Sequence, residues 1–242
     1  MFAWFVVGSV KIETMSNEMP QVHFRKLYDQ FNAAITHLDC GEQCAQHNPS
    51  GKPFCCDICQ AVPALYDAEW HYLHVNTDLW ALWQGNECPE CAERIVELKS
   101  ATPAYMLLGA CLGHRQCQRN YRALSCRQFP FFPYITDDYR FIGLAYEWTV
   151  EETCWVINNL DMVLPTYRQE FVAAFDHLFD MWPDEMESYA VLSAEMREVF
   201  LSRRWRIPIL HRNGKDYLLS AGSERLQQVS AVGFRKFSVY QR

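Results

Sequence analysis

The sequence predicts a mainly helical α+β protein in which a cysteine-rich loop core is organised around a metal site and a short β-hairpin lies near the C-terminus. Three observations carry this expectation. Eleven cysteines in 242 residues bunch into knots, the first of them on a stretch rich in Gly and Pro. Apolar steps of three and four dominate the second half of the chain, the mark of helices with one buried face. Asn213-Gly214 stands between two apolar runs, and that pair supplies the positive φ angles a tight hairpin needs.

In chain order, Phe24, Leu27, Tyr28, Phe31, Ile35 and Leu38 predict an amphipathic helix over residues 21–38. Residues 40–59 carry Gly41, Pro49, Gly51 and Pro53 among polar neighbours and read as loop. Pro63 suits the first turn of a helix through Leu65, Tyr66, Trp70, Leu73 and His74, where a missing N–H costs least. An apolar stretch over 79–83 ends at Gly85. Cys88 and Pro89 then open a short helix with Glu90 and Glu93 in its first turn and Lys99 in its last, as the helix dipole favours. Residues 104–109 read as a buried strand or extended segment, and 143–149 as another. With two prolines, 129–134 (FPFFPY) is an aromatic extended lid or wall. Helical periodicity covers 151–160, 167–181 and 183–203, with Asp176, Asp180, Asp184, Glu185, Glu187, Glu195 and Glu198 as a solvated acidic face. The hairpin joins 207–210 to 216–219, and an amphipathic piece over 226–237 closes the chain.

Half of the residues are apolar and 21% are charged, which excludes a disordered chain. The net charge of −7 provides no positive field for nucleic acid. No apolar run reaches the eighteen or so residues a membrane helix needs, so no membrane partner is expected. The stretch over 2–7 lacks a basic flank and a small-residue cleavage site, and reads as no export signal. Residues 1–18 are expected to be a disordered extension, and 19–242 a single domain. Within that domain, 19–135 is the metal-binding part and 136–242 the helical part. A cytoplasmic, reducing compartment follows, and clustered thiols there favour metal or redox chemistry over structural disulfides.

Cys40, Cys44, Cys55, Cys56 and Cys59 form the first knot, Cys88 and Cys91 the second, and Cys111, Cys117 and Cys126 the third; Cys154 stands alone as a small hydrophobe. Spacings such as C-x3-C, CC and C-x2-C direct several sulfurs at one point, which suits zinc and the iron of Fe–S clusters. Arg115, Arg119, Arg122 and Arg127, with no acidic residue among them, would offset the charge of several thiolates. Cys59, Cys88 and Cys91 form a candidate second site needing one more ligand from His71, His74 or His114. Cys88-Pro89-Glu90-Cys91 at a helix start also permits a thioredoxin-like redox pair, although no βαβ pattern surrounds it.

The pattern C-x3-C, then FCC-x2-C, then C-x5-C-x8-CRQFP followed by FFPY, resembles the YkgJ-type cysteine-cluster family, described as zinc- or iron-chelating. The flagellin lysine N-methylases have a related pattern. The resemblance spans about residues 38–134 and rests on Cys40, Cys44, Cys55 and Cys56, then on Cys111, Cys117, Arg122, Cys126, Arg127, Phe129 and Pro130. The chain departs from the family in having Ala123 where a proline is usual, and an insertion over 45–54. The resemblance implies metal binding through Cys40, Cys44, Cys55, Cys56, Cys111, Cys117 and Cys126, with zinc or an iron–sulfur cluster, [4Fe–4S] foremost, as the cofactor, and Cys59 of the first knot is a further candidate ligand. It supplies no reaction. A cluster-bearing enzyme resembling the lysine N-methylases, acting on a protein substrate, is the alternative, and an interaction module with structural zinc is a third. No P-loop, G-x-G-x-x-G or G-x-S-x-G motif is present.

Overall fold

A computed structural model of the chain describes residues 2–3, 24–89 and 91–240. They fall into two compact units, Met1–Asn32 with Gly41–Arg127, and Ala33–Cys40 with Gln128–Arg242. The stretch expected to be disordered, 1–18, lies outside the described residues except for Phe2–Ala3.

In the first unit, β1 (Phe2–Ala3) is followed by α1 (Phe24–Gln30), which buries Phe24, Leu27 and Tyr28. The helix expected over 21–38 stops at Gln30 because its last carbonyls are taken by a distant side chain. The Arg127 guanidinium donates to the Tyr28 carbonyl at 3.3 Å and to that of Phe31, occupying acceptors that a helix end leaves open. A six-residue helix, α2 (Cys40–Ala45), occupies the start of the expected loop. Then come β2 (Ala61–Val62), β3 (Ala64–Tyr66), α3 (Asp67–Asn76), β4 (Trp80–Leu82), α4 (Cys91–Ala101), β5 (Met106–Cys111) and α5 (Leu124–Gln128).

The helix expected to begin at Pro63 begins at Asp67, since 64–66 are claimed by a sheet. Strand β5 pairs antiparallel with β3 on one side and β4 on the other, and the Gly109 N–H reaches back to the Pro63 carbonyl at 2.8 Å. Ala64, Leu65 and Tyr66 are all buried, so both faces of β3 are covered and helical periodicity cannot distinguish it. β1 runs parallel to β2.

The second unit contains β6 (Phe131–Ile135), β7 (Phe141–Tyr146), α6 (Pro165–Met181), α7 (Pro183–Ser202), β8 (Arg206–His211), β9 (Asp216–Ser220) and β10 (Leu226–Val229). The strands form one antiparallel sheet in the order β10-β9-β8-β7-β6. Both long helices open on proline; α7 starts at Pro183 as expected, and α6 starts at Pro165, two residues ahead of the expected Tyr167. α7 packs on β6 and β8, and α6 on β7. Tyr167, Phe171 and Phe175 are fully buried, with the Phe171 and Phe175 rings 4.6 Å apart. The FPFFPY stretch belongs to this core rather than to a lid: Phe131, Phe132 and Tyr134 are each 2% exposed or less.

The expected helix over 151–160 is instead a pair of 3-10 turns, Trp148–Val150 and Ile157–Met162. Side chains take the backbone groups there. Asn158 donates to the carbonyls of Glu151 and Cys154, at 2.8 and 2.9 Å. The expected hairpin is present, with Gly214 at φ +84°, but it is extended by β10 and joined to β7, so the terminal piece starts as a strand.

The architecture is therefore α+β, with antiparallel sheets of three and five strands in place of one short hairpin. The expected cysteine-rich loop core organised around a metal site is corrected. Among the described residues, no group of three or more His, Cys, Asp or Glu stands where it could hold a metal ion. The loop over 48–61 is arranged by a carboxylate instead. Asp57, 3% exposed, accepts from Ser50 Oγ at 2.7 Å, Asn48 Nδ2 at 3.2 Å and the Cys59 N–H at 3.3 Å. Burial pushes its carboxyl up, but these bonds outweigh it and hold Asp57 below the usual carboxylate range.

Candidate functional site

The first unit gathers thiols from three segments. Cys56 sits on the 3-10 turn Phe54–Cys56, with its sulfur 3.9 Å from that of Cys55. Cys111 ends β5, Cys117 follows the turn His114–Gln116, and Cys126 lies in α5. Their electrostatics tie them together. Burial pushes the Cys126 thiol well above its usual value, and the charges of Cys111, Cys56 and Cys117 push it further. Cys111 is an exposed residue whose sulfur is nonetheless crowded; desolvation raises its thiol, and Cys56 and Cys117 add to the rise. Like charges gathered in one place disfavour every additional thiolate.

Arg122 is the counter-charge of this group. Its Nε donates to the Cys117 sulfur at 3.1 Å. Burial acts to lower the guanidinium's affinity for its proton, but Cys117, Cys126 and Cys56 reverse that and leave it raised. The other arginines of the expected basic patch act differently. Arg127, 6% exposed, donates from Nε to the Arg122 carbonyl at 2.8 Å. It also bonds the carbonyls of Arg119 and Asn120 and stacks 4.0 Å over the Tyr28 ring. It thus fixes the backbone that carries Arg122 and Cys126.

The remaining candidates are distributed elsewhere. Cys44 is buried, with its sulfur 3.5 Å from the Gly41 carbonyl. Cys59 packs against an apolar cluster of Val62, Trp83, Cys88, Cys91 and Leu98, inside which Cys88 and Cys91 are joined by a disulfide. Cys40 belongs to the second unit, where its charge adds to the burial that raises the Tyr167 hydroxyl. Cys154 is buried in that unit as well. His71 and His74 are exposed on α3, the latter stacked on Trp70 with ring centroids 5.1 Å apart, and His114 is half-buried on its turn.

Sequence reasoning missed Glu69. It is fully buried at the third position of α3 and accepts from the Tyr28 hydroxyl and the Leu124 N–H, both at 2.5 Å, and from the Tyr66 N–H at 3.3 Å. Burial raises its carboxyl to about 7 against the lowering effect of those bonds and of Arg127. A carboxylate three residues into a helix is the capping-box signature, and that was the available signal. Glu69 and Arg127 together tie α1 and α3 to the segment bearing Cys126.

Among the described residues no helix is long and apolar enough to cross a membrane. No family model, curated protein or solved structure matches the chain.

Proposed function

We propose that this chain binds a thiophilic metal, as zinc or an iron–sulfur cluster, through thiolates drawn from Cys56, Cys111, Cys117 and Cys126. One observation carries the reading: Cys56, Cys111 and Cys117 lie close enough to Cys126 for their charges to push its thiol up, Cys56 and Cys117 do the same to Cys111, and the Arg122 guanidinium stands beside the group. Four sulfurs are the complement of a four-thiolate zinc or a [4Fe–4S] cluster. Zinc or cluster iron would supply the positive charge that stabilises thiolates otherwise disfavoured by burial and repulsion. Arg122 would offset the negative charge left after four thiolates bind a divalent ion.

Ion binding requires the four sulfurs to draw together, and it is not what shapes the loops, since Asp57, Glu69 and Arg127 already do so. The resemblance to the YkgJ-type family supports the same reading through the cysteine pattern alone. Anaerobic purification, metal analysis and a visible absorption spectrum test it. The expected result is about one zinc per chain, or about four iron with sulfide and broad charge-transfer absorbance. Cys126→Ser and Cys111→Ser should each lose that metal while keeping the circular dichroism of the parent chain. Metal-free protein that takes up neither zinc nor a reconstituted cluster overturns the reading, as does full metal content in both variants.

A further inference from the structure

The thiols left out of the proposed metal group are themselves arranged. Cys91, the first residue of α4, and Cys88, three residues before it, are joined as a disulfide within the apolar cluster of Val62, Trp83 and Leu98. The segment 58–59 is clamped over them. The Cys91 sulfur lies 3.9 Å from the Ile58 carbonyl, and one helical turn further on Arg94 Nη1 donates to the Cys59 carbonyl at 2.9 Å. Cys59, outside any disulfide and only half-buried, thus packs against the cluster that holds a disulfide whose own cysteines are 9% and 0% exposed.

We propose that Cys59 is the relay thiol of a three-cysteine thiol–disulfide exchange site, through which a dithiol reductant reaches the buried Cys88–Cys91 bond. Cys59 gives up its proton and its thiolate attacks Cys91 Sγ. The Cys59–Cys91 bond forms, the Cys88–Cys91 bond breaks, and Cys88 leaves as a thiolate that takes a proton. A thiolate of the dithiol then attacks Cys59 Sγ, releasing Cys91 as the second thiol. The dithiol's other sulfur closes on its mixed disulfide and returns Cys59 to its starting state. Two electrons and two protons pass from the dithiol to the Cys88–Cys91 pair, and Cys59 is regenerated.

Two features of the site favour this route. Cys91 is the first residue of α4, at the positive end of the helix dipole, which favours its release as a thiolate in the second step. Exchange is limited by access, and burial leaves the pair almost none, whereas Cys59 retains some. This proposal is independent of metal binding, because it uses none of the four thiols assigned to the metal.

The test uses the full chain reduced with dithiothreitol, followed by rapid quenching, maleimide labelling and mass spectrometry of the 88–91 peptide. In Cys59→Ser and Cys59→Ala, reduction of the pair should slow by about tenfold or more, with the final extent unchanged. In Cys88→Ser, mild oxidation should trap a Cys59–Cys91 disulfide. Reduction as fast in both Cys59 variants as in the parent chain overturns the proposal. So does a Cys88→Ser chain in which oxidised Cys91 is found without Cys59 as its partner.

Discussion

The Tyr28 hydroxyl donates to Glu69 Oε1 across 2.5 Å, and the Leu124 N–H converges on the same oxygen. This pair joins α1 to α3 inside the first unit and leaves a carboxyl buried with the Arg127 cation near it. Glu69 takes up its proton at about 7, well above the usual value, chiefly because burial penalises the charge. The sign of the linkage follows. Between the ordinary carboxylate range and about pH 7 the unfolded chain releases this proton while the folded chain keeps it, so stability falls as pH rises through that window. The contribution, fully present below about pH 4.5, amounts to about 3 kcal/mol and is lost by neutrality. Urea denaturation from pH 4 to 8 should show that decline, and Glu69→Gln should flatten it. A slope unchanged in Glu69→Gln would assign the dependence to another group.

Arg127 is expected to be as sensitive as Glu69. Its guanidinium reaches five carbonyl oxygens, those of Tyr28, Phe31, Arg119, Asn120 and Arg122, together with Asn32 Oδ1. An ammonium has three donors and cannot span them in a plane. Arg127→Lys should therefore cost about 3 kcal/mol of stability, since buried carbonyls are left unpaired. Denaturant midpoints measure this, and a change below about 0.5 kcal/mol would mean that water replaces the lost bonds without cost.

The same two residues mark the limit of what was legible. Helices α6 and α7 could be read because each repeats apolar residues at steps of three and four for more than four turns. The β8–β9 hairpin could be read because Asn213-Gly214 is a local signal. The end of α1 could not, since it depends on Arg127, nearly a hundred positions away in sequence. Nor could β3, whose three buried residues carry no alternation. Of the thiols, Cys56, Cys111, Cys117 and Cys126 all stood in the wider set of candidates, to which the family's cysteine pattern added Cys40 and Cys44, and spacing added Cys59. Long-range contacts decided which knots met.

In the second unit, Gly143 pairs with Tyr134 on one side and His211 on the other, at φ +150°. A Cβ there would lie 2.4 Å from the Leu210 carbonyl oxygen and 2.7 Å from the His211 Cα. Both are backbone atoms of β8, so relief requires moving the strand. Gly143→Ala should destabilise the chain by about 2 kcal/mol or more, read as a lowered thermal midpoint. Gly214→Ala, which meets no atom within 4 Å, is the control and should cost less, through its positive φ alone.

Arg122 offers the most direct probe of the thiol group. It is the cation that partly offsets the rise of the Cys126 thiol, against burial and the charges of Cys111, Cys56 and Cys117. Arg122→Gln keeps a donor near Cys117 and removes the charge, so the Cys126 thiol should rise further. The thiolate is the species that alkylates, and its fraction at a fixed pH falls tenfold for each unit of that rise. Iodoacetamide labelling of metal-free protein between pH 7 and 10, followed on the Cys126 peptide, should show its rate profile displaced to higher pH in Arg122→Gln. Labelling of Cys154, which lies in the other unit, should not change. A profile for Cys126 that does not move would separate Arg122 from the thiols and leave its contact with Cys117 as a packing interaction only.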